Sequence, residues 1–176
     1  MTDVPHAHIL HRRGTWSGAA DRVTLGYDER FLRRRRLVTA AGHAFLVDLP
    51  ETVSLDQGDA LELHDGRLVE VLAAVEPVLV ITGDLPRLAW HIGNRHTPCQ
   101  IEPARLLIRR DHVLEAMLRQ LGAGVAESDE PFTPEGGAYG HGRTLGHEAD
   151  HGHRHVHHSA HHHTHPDEPE TEREPE

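Results

Sequence analysis

Histidine sets the chemistry of this chain. Eleven of its nineteen histidines crowd into one stretch: His141, His147, His151, His153, His155, His157, His158, His161, His162, His163 and His165. Neutral imidazole is the commonest protein ligand for nickel, copper and zinc, and most free imidazole is unprotonated at pH 7. These residues are therefore candidate ligands for Ni(II), Zn(II) or Cu(II). Residues 143–176 contain too few apolar side chains to bury, so the tail is expected to be disordered without metal. Gly152, Arg154, Val156, Ser159 and Ala160 interrupt the histidines, and an acidic run follows at 167–176, unlike the unbroken block of a purification tag.

Within that stretch, His147-Glu148-Ala149-Asp150-His151 matches the zinc-protease pattern H-E-x-x-H. The pattern works only on a rigid helix that turns both histidines toward one cation. Gly146 and Gly152 bracket it here, and Arg154 stands where the longer metzincin form needs glycine. A hydrolase is therefore not expected, and the chain reads as a binding protein rather than an enzyme.

Outside the tail, His96 is the first candidate ligand. It follows Gly93-Asn94-Arg95, eleven residues after Leu85, and is expected to end the apolar stripe of a helix. One imidazole per chain holds a transition metal poorly. A twofold homodimer that brings two copies of His96 to its axis solves this, with the tails completing the shell. His112 opens the next helix and would lie on the same sheet edge, as an auxiliary ligand. His91 faces another side of its helix, as a surface residue or an accessory ligand. His43 and His64 fall in hairpins facing solvent, and His6, His8 and His11 are expected on a mobile terminus. Cys99 reads as a core thiol. Arg33-Arg34-Arg35-Arg36 reads either as a solvated edge strand or as a docking patch for an acidic segment.

Composition narrows the function class. All eighteen basic residues are arginine, so a Walker A loop, a pyridoxal Schiff base and a Ser-Lys dyad are excluded. The net charge of −10 argues against nucleic acid as the partner. No run approaches the ~20 apolar residues of a membrane span. The N-terminus lacks the apolar core of a signal peptide, and the single cysteine fits a reducing compartment, so the expected location is cytoplasmic.

The elements that must position these residues fall into two halves. Strand patterns cover 23–25, 34–40, 43–49, 60–63 and 67–71, with turns at Ala41-Gly42 and at His64-Asp65-Gly66. This predicts an all-β domain over 1–75. The rhythm then changes. An apolar strand at 78–81 precedes a helix capped by Asp84, with Leu85, Leu88, Ala89 and Ile92 on one face. Strands at 99–102 and 105–108 lead to a helix capped by Asp111, carrying Leu114, Met117, Leu118 and Leu121, stopped at Gly122. A last strand is expected at 125–127. The order is β-α-β-β-α-β, so the fold class is α+β: an all-β domain, a ferredoxin-like domain over 76–142, and the tail.

Four blocks resemble a known family. They are Tyr27-Asp28-Glu29-Arg30 leading into the arginine run; Trp90-His91-Ile92-Gly93-Asn94-Arg95-His96-Thr97-Pro98-Cys99-Gln100; Arg110-Asp111-His112-Val113-Leu114; and Pro131-Phe132-Thr133-Pro134-Glu135-Gly136-Gly137-Ala138-Tyr139. These are similar to the urease accessory nickel metallochaperones, the UreE family. The resemblance implies a homodimer in which His96 of both subunits holds Ni(II), with a peptide-binding-like β domain ahead of it. It implies that His112 matches a second, less widely shared ligand. Arg110 stands where one such member carries a further histidine. It also implies delivery of nickel to apo-urease and its accessory complex, together with the urease accessory GTPase. The alternative is a nickel or zinc store without a delivery role.

Overall fold

The computed structural model describes residues 4–136. The candidate ligands from His141 to His165, the H-E-x-x-H match and the tail 143–176 lie outside the described residues.

The first half is a six-stranded sheet. Its strands are β1 (His6–His11), β2 (Asp21–Leu25), β3 (Phe31–Val38), β4 (Ala44–Ser54), β5 (Ala60–Leu63) and β6 (Leu68–Ala73), in the order β2-β6-β5-β1-β4-β3. Alternation explains their packing: Phe45, Val47 and Leu49 are buried while Leu46 and Asp48 between them are only half-buried. With Ala7, Val23, Leu25, Leu61, Leu63, Val69 and Val71 they form one core. Pro50 falls where the β3–β4 ladder loses register, between Leu32↔Val53 and Arg34↔Asp48, a place where a missing N–H costs nothing. The sheet curls: the Ala40 amide donates to the Arg22 carbonyl at 2.8 Å, joining the ends of its two edge strands.

One expectation fails here. Residues 6–11 are not a mobile terminus. They form an interior strand, parallel to β4 and antiparallel to β5, with Ala7 wholly buried. Three histidines in six residues hid the apolar alternation, and the strand is held mainly by ladder hydrogen bonds.

The second half is a four-stranded antiparallel sheet with two helices. β7 (Val75–Thr82), β8 (Gln100–Ile101), β9 (Leu106–Arg109) and β10 (Gly124–Pro131) are ordered β10-β7-β9-β8. Helix α1 (Leu85–Gly93) joins β7 to β8, and α2 (His112–Gln120) joins β9 to β10. This is the ferredoxin-like arrangement. Leu79, Ile81, Leu106 and Ile108 pack against Leu88, Ile92 and Leu118 of the helices. Val78 and Leu107 point the other way and meet Tyr27 and Phe132. Asp84 caps α1 by accepting from the Arg87 amide, and Asp111 caps α2 by accepting from the amides of Val113 and Leu114. The last strand is longer than the expected three residues. It pairs along all eight residues of β7, its acidic run 127–130 having masked an edge strand.

The halves touch through Tyr27. Its amide donates to Glu76 at 2.7 Å, its ring meets Phe132 edge-on at 5.5 Å, and the Arg109 guanidinium lies 5.4 Å from its centre. The buried Arg30 side chain donates to the Phe132 carbonyl. These contacts use the first block of the family resemblance, whose role was not legible from sequence.

Candidate metal centre

Connectivity fixes where the two ordered candidates sit. α1 carries the chain from the end of β7 back to the start of β8, while β9 runs back to the end where β7 begins. The turn after α1 and the first residue of α2 therefore share one end of the sheet. His96 lies in the first and His112 is the second; both are exposed.

His96 is not on the apolar stripe of α1. The helix ends at Gly93, and residues 94–96 form a tight turn closed by Arg95 N–H to the Ile92 carbonyl (3.0 Å) and His96 N–H to the Gly93 carbonyl (2.9 Å). The expected return to the helix face needed the helix to run three residues further, under one more turn, and the 94–96 turn replaces it. Arg95 also donates from its guanidinium to the His91 carbonyl at 3.0 Å, tying the turn to the last helical turn. Among the described residues His96 is the one non-glycine with positive φ, at 55°. An L residue there is held at a cost of about 1–2 kcal/mol. The imidazole is thus presented outward on a rigid, strained turn, not packed as a core histidine.

Large apolar side chains are exposed along the same elements. Trp90 on α1 is 65 % exposed, Val113 beside His112 is 64 % exposed, and Ile101 on β8 is 52 % exposed. The Trp90 and His91 rings meet edge-to-face at 4.9 Å, and His91 is half-buried. Cys99 packs against the helix-facing core; burial first, and the Glu135 charge second, push its thiol up to about 11. A thiol that holds its proton so firmly behaves as core and is a poor ligand. No group of three or more His, Cys, Asp or Glu converges among the described residues. A single described chain therefore does not assemble a closed metal shell.

The remaining sequence candidates fall in the β domain. His43 and His64 are exposed, as expected. The four arginines 33–36 are exposed on β3, which is the sheet's edge; Arg35 pairs with Glu29 at 2.9 Å and Arg34 lies 3.9 Å from Asp48. A cavity of about 140 Å³ opens beside Asp21, Thr39, His43, Phe45 and Arg67. That is roughly the volume that holds one benzene ring, so it suits a side chain and not a peptide segment. Its Asp21 carboxyl is held below the usual range, chiefly by the Thr39 hydroxyl and then by the Arg22 amide.

Comparison with known proteins decides the family. Residues 4–74 match the model of the UreE urease accessory protein N-terminal domain, and residues 76–167 match that of the C-terminal domain. The chain belongs to the UreE family of urease accessory proteins. It is 67 % identical over 153 residues to the urease accessory protein UreE of Cereibacter sphaeroides, covering 86 % of this chain and 83 % of that one. It is 65 % identical over 146 residues to the UreE of Ruegeria pomeroyi, covering 82 % of this chain and 98 % of the relative. The UreE of Rhodobacter capsulatus is 68 % identical over 150 residues, covering 82 % and 95 %. Among the described residues no helix is long and apolar enough to cross a membrane.

Proposed function

We propose that this UreE-family chain is a nickel metallochaperone of the cytoplasm that delivers Ni(II) for urease assembly. The observation that carries the reading is the turn holding His96. A histidine kept exposed, at a backbone angle that glycine would adopt more easily, is selected for its imidazole. Two copies of the chain, paired over the exposed Trp90 and Val113, supply two His96 rings to one ion. His112 stands at the same end of the sheet and is an auxiliary ligand. His141, His147, His151, His153, His155, His157, His158, His161, His162, His163 and His165 capture ions and raise their effective concentration near that shared position. The bound ion passes to the urease accessory GTPase and apo-urease with its accessory complex. The chain supplies ligands and no catalytic group.

Exposure suits transfer. Imidazoles at a surface can be exchanged for those of an acceptor without opening a core. The test is urease activation in cells whose own copy is replaced by His96→Ala. Urease activity is expected to fall at limiting nickel while the chain stays folded and soluble. Full activation at limiting nickel would overturn the reading.

A further inference from the structure

The β domain carries histidines in an arrangement that neither the tail nor the His96 turn explains. His6 and His8 flank the buried Ala7 on β1, and His8 stands where the ladder to β5 shifts register between Ala7 and Ile9, with both His8 and Ile9 exposed. Their rings meet at 5.9 Å between centres, nearly perpendicular at 73°. Two imidazoles holding one ion at about 2.1 Å bring ring centres roughly 4.5–5.5 Å apart. The observed separation of 5.9 Å lies just beyond that range.

Hydrogen bonds fix which nitrogens can ligate. His8 Nδ1 lies 2.8 Å from the Asp48 carbonyl oxygen, which can only accept. Nδ1 therefore carries the proton, and the neutral ring presents its lone pair at Nε2. A carbonyl behind the non-ligating nitrogen is the usual second partner of a metal-binding histidine, orienting the ring and raising its basicity. His64 is different. Its Nδ1 accepts from the His6 amide at 3.2 Å, so its lone pair is used and the proton of the neutral ring sits on Nε2. His11 Nε2 is bound to Glu62 at 2.6 Å. His6 and His8 are thus the pair equipped to act together.

We propose that His6 and His8 form a second metal site, a bidentate clamp on β1 for a divalent first-row transition cation, with water filling the other positions. Imidazole donors favour Ni(II), Cu(II) and Zn(II) over Mg(II) or Ca(II). The site lies on the β domain and is independent of the His96 pair. It gives a captured ion a fixed stop on the folded surface.

The test is NMR of the full chain with labelled histidine rings, titrated with NiCl₂ alone and followed at each ring. Paramagnetic broadening of the His6 and His8 signals is expected together, while the exposed His43 ring stays sharp. His8→Asn keeps a donor for the Asp48 carbonyl but loses the imidazole; its His6 response is expected to need on the order of 100-fold more nickel, as one ligand replaces a chelate. His6→Gln is expected to do the same at His8. The metal-free amide spectrum of β1 checks that each variant keeps its strand. Sharp His6 and His8 signals at saturating nickel, or undiminished His6 broadening in folded His8→Asn, would overturn the proposal. The readout is taken at β1 itself, so it stands or falls separately from any result at His96.

Discussion

Replacing His96 with glycine separates a strained ligand from a structural histidine. At φ 55° the native turn costs an L residue about 1–2 kcal/mol relative to a right-handed conformation. Glycine escapes that cost but loses about 0.4–1 kcal/mol through its freer unfolded chain. The balance makes His96→Gly more stable than His96→Ala by roughly 0.5–1 kcal/mol. Comparing the two variants cancels whatever the imidazole contacts, since both lack it. For a chain of this size the gap is a rise of about 1–4 °C in Tm. The assay is thermal unfolding of the metal-free proteins by circular dichroism, paired with calorimetric nickel titration. Both variants should lose the same tight nickel equivalent, so the more stable one is no better at binding. A glycine variant no more stable than the alanine one would refute the claim that the turn is strained. Either variant keeping the wild-type nickel isotherm would refute the claim that strain is tolerated for the sake of the ligand.

Other consequences can be checked separately. Cys99 should react with iodoacetamide about 100-fold more slowly at pH 8 than a free thiol of pKa 9, because its folded pKa is about 11. The sign for stability follows: the unfolded chain loses this proton first, so the stabilisation is complete below pH 9 and lost as pH rises toward 11, visible as a falling Tm. Asp59→Ala should destabilise the β domain by about 3 kcal/mol in urea unfolding. Asp59 is buried and accepts from Arg12 at 2.8 Å and from the amides of Arg13 and Asp56, all three of which would lose that acceptor, while Arg12 keeps the Ser54 carbonyl at 2.9 Å. Ending the chain after Arg143 should remove most nickel equivalents in native mass measurements yet keep one ion per dimer; loss of every ion would count against the His96 pair.

How much was legible depended on whether a signal was local. Asp84 and Asp111, each followed by apolar residues at helical spacing, announced both helices, and β-α-β-β-α-β order announced the second sheet. Strands carrying alternating apolar residues, such as β4, were equally plain. The segments that sequence misjudged are stabilised by partners far along the chain. β1 is a strand because β4 and β5 flank it, not because of its own side chains. β10 runs eight residues because β7 offers a full ladder beside it. The placement of His96 failed for the opposite reason. The pattern before it was helical, but Gly93-Asn94-Arg95 closes a turn that periodicity cannot register. Tyr27 and Arg30 were visible only as part of a resemblance, because their partners Glu76, Arg109 and Phe132 are between 49 and 102 residues away.

Topology, more than any single contact, brings His96 and His112 to one end of the fold. In this β-α-β-β-α-β order, whatever follows α1 and whatever opens α2 must emerge where β7 starts, whichever side chains stand there. The back of the sheet is already covered by Tyr27 and Phe132. The helical side is where Trp90 and Val113 remain exposed. On the proposed reading, a second copy must therefore approach from the helical side, and its own His96 turn arrives with it. The ligand set becomes complete only in the pair. A monomer would hold the ion by one turn and lose it readily, whereas the pair holds it until an acceptor offers more imidazole or thiolate. Assembly state then controls affinity without any change of fold. Nickel affinity should accordingly rise with protein concentration across the dimerisation range, and Trp90→Glu, which places a charge on the face to be covered, should lower it while leaving His96 untouched. A nickel affinity independent of concentration in native mass titration would show that one chain suffices, and the argument from topology would fail with it.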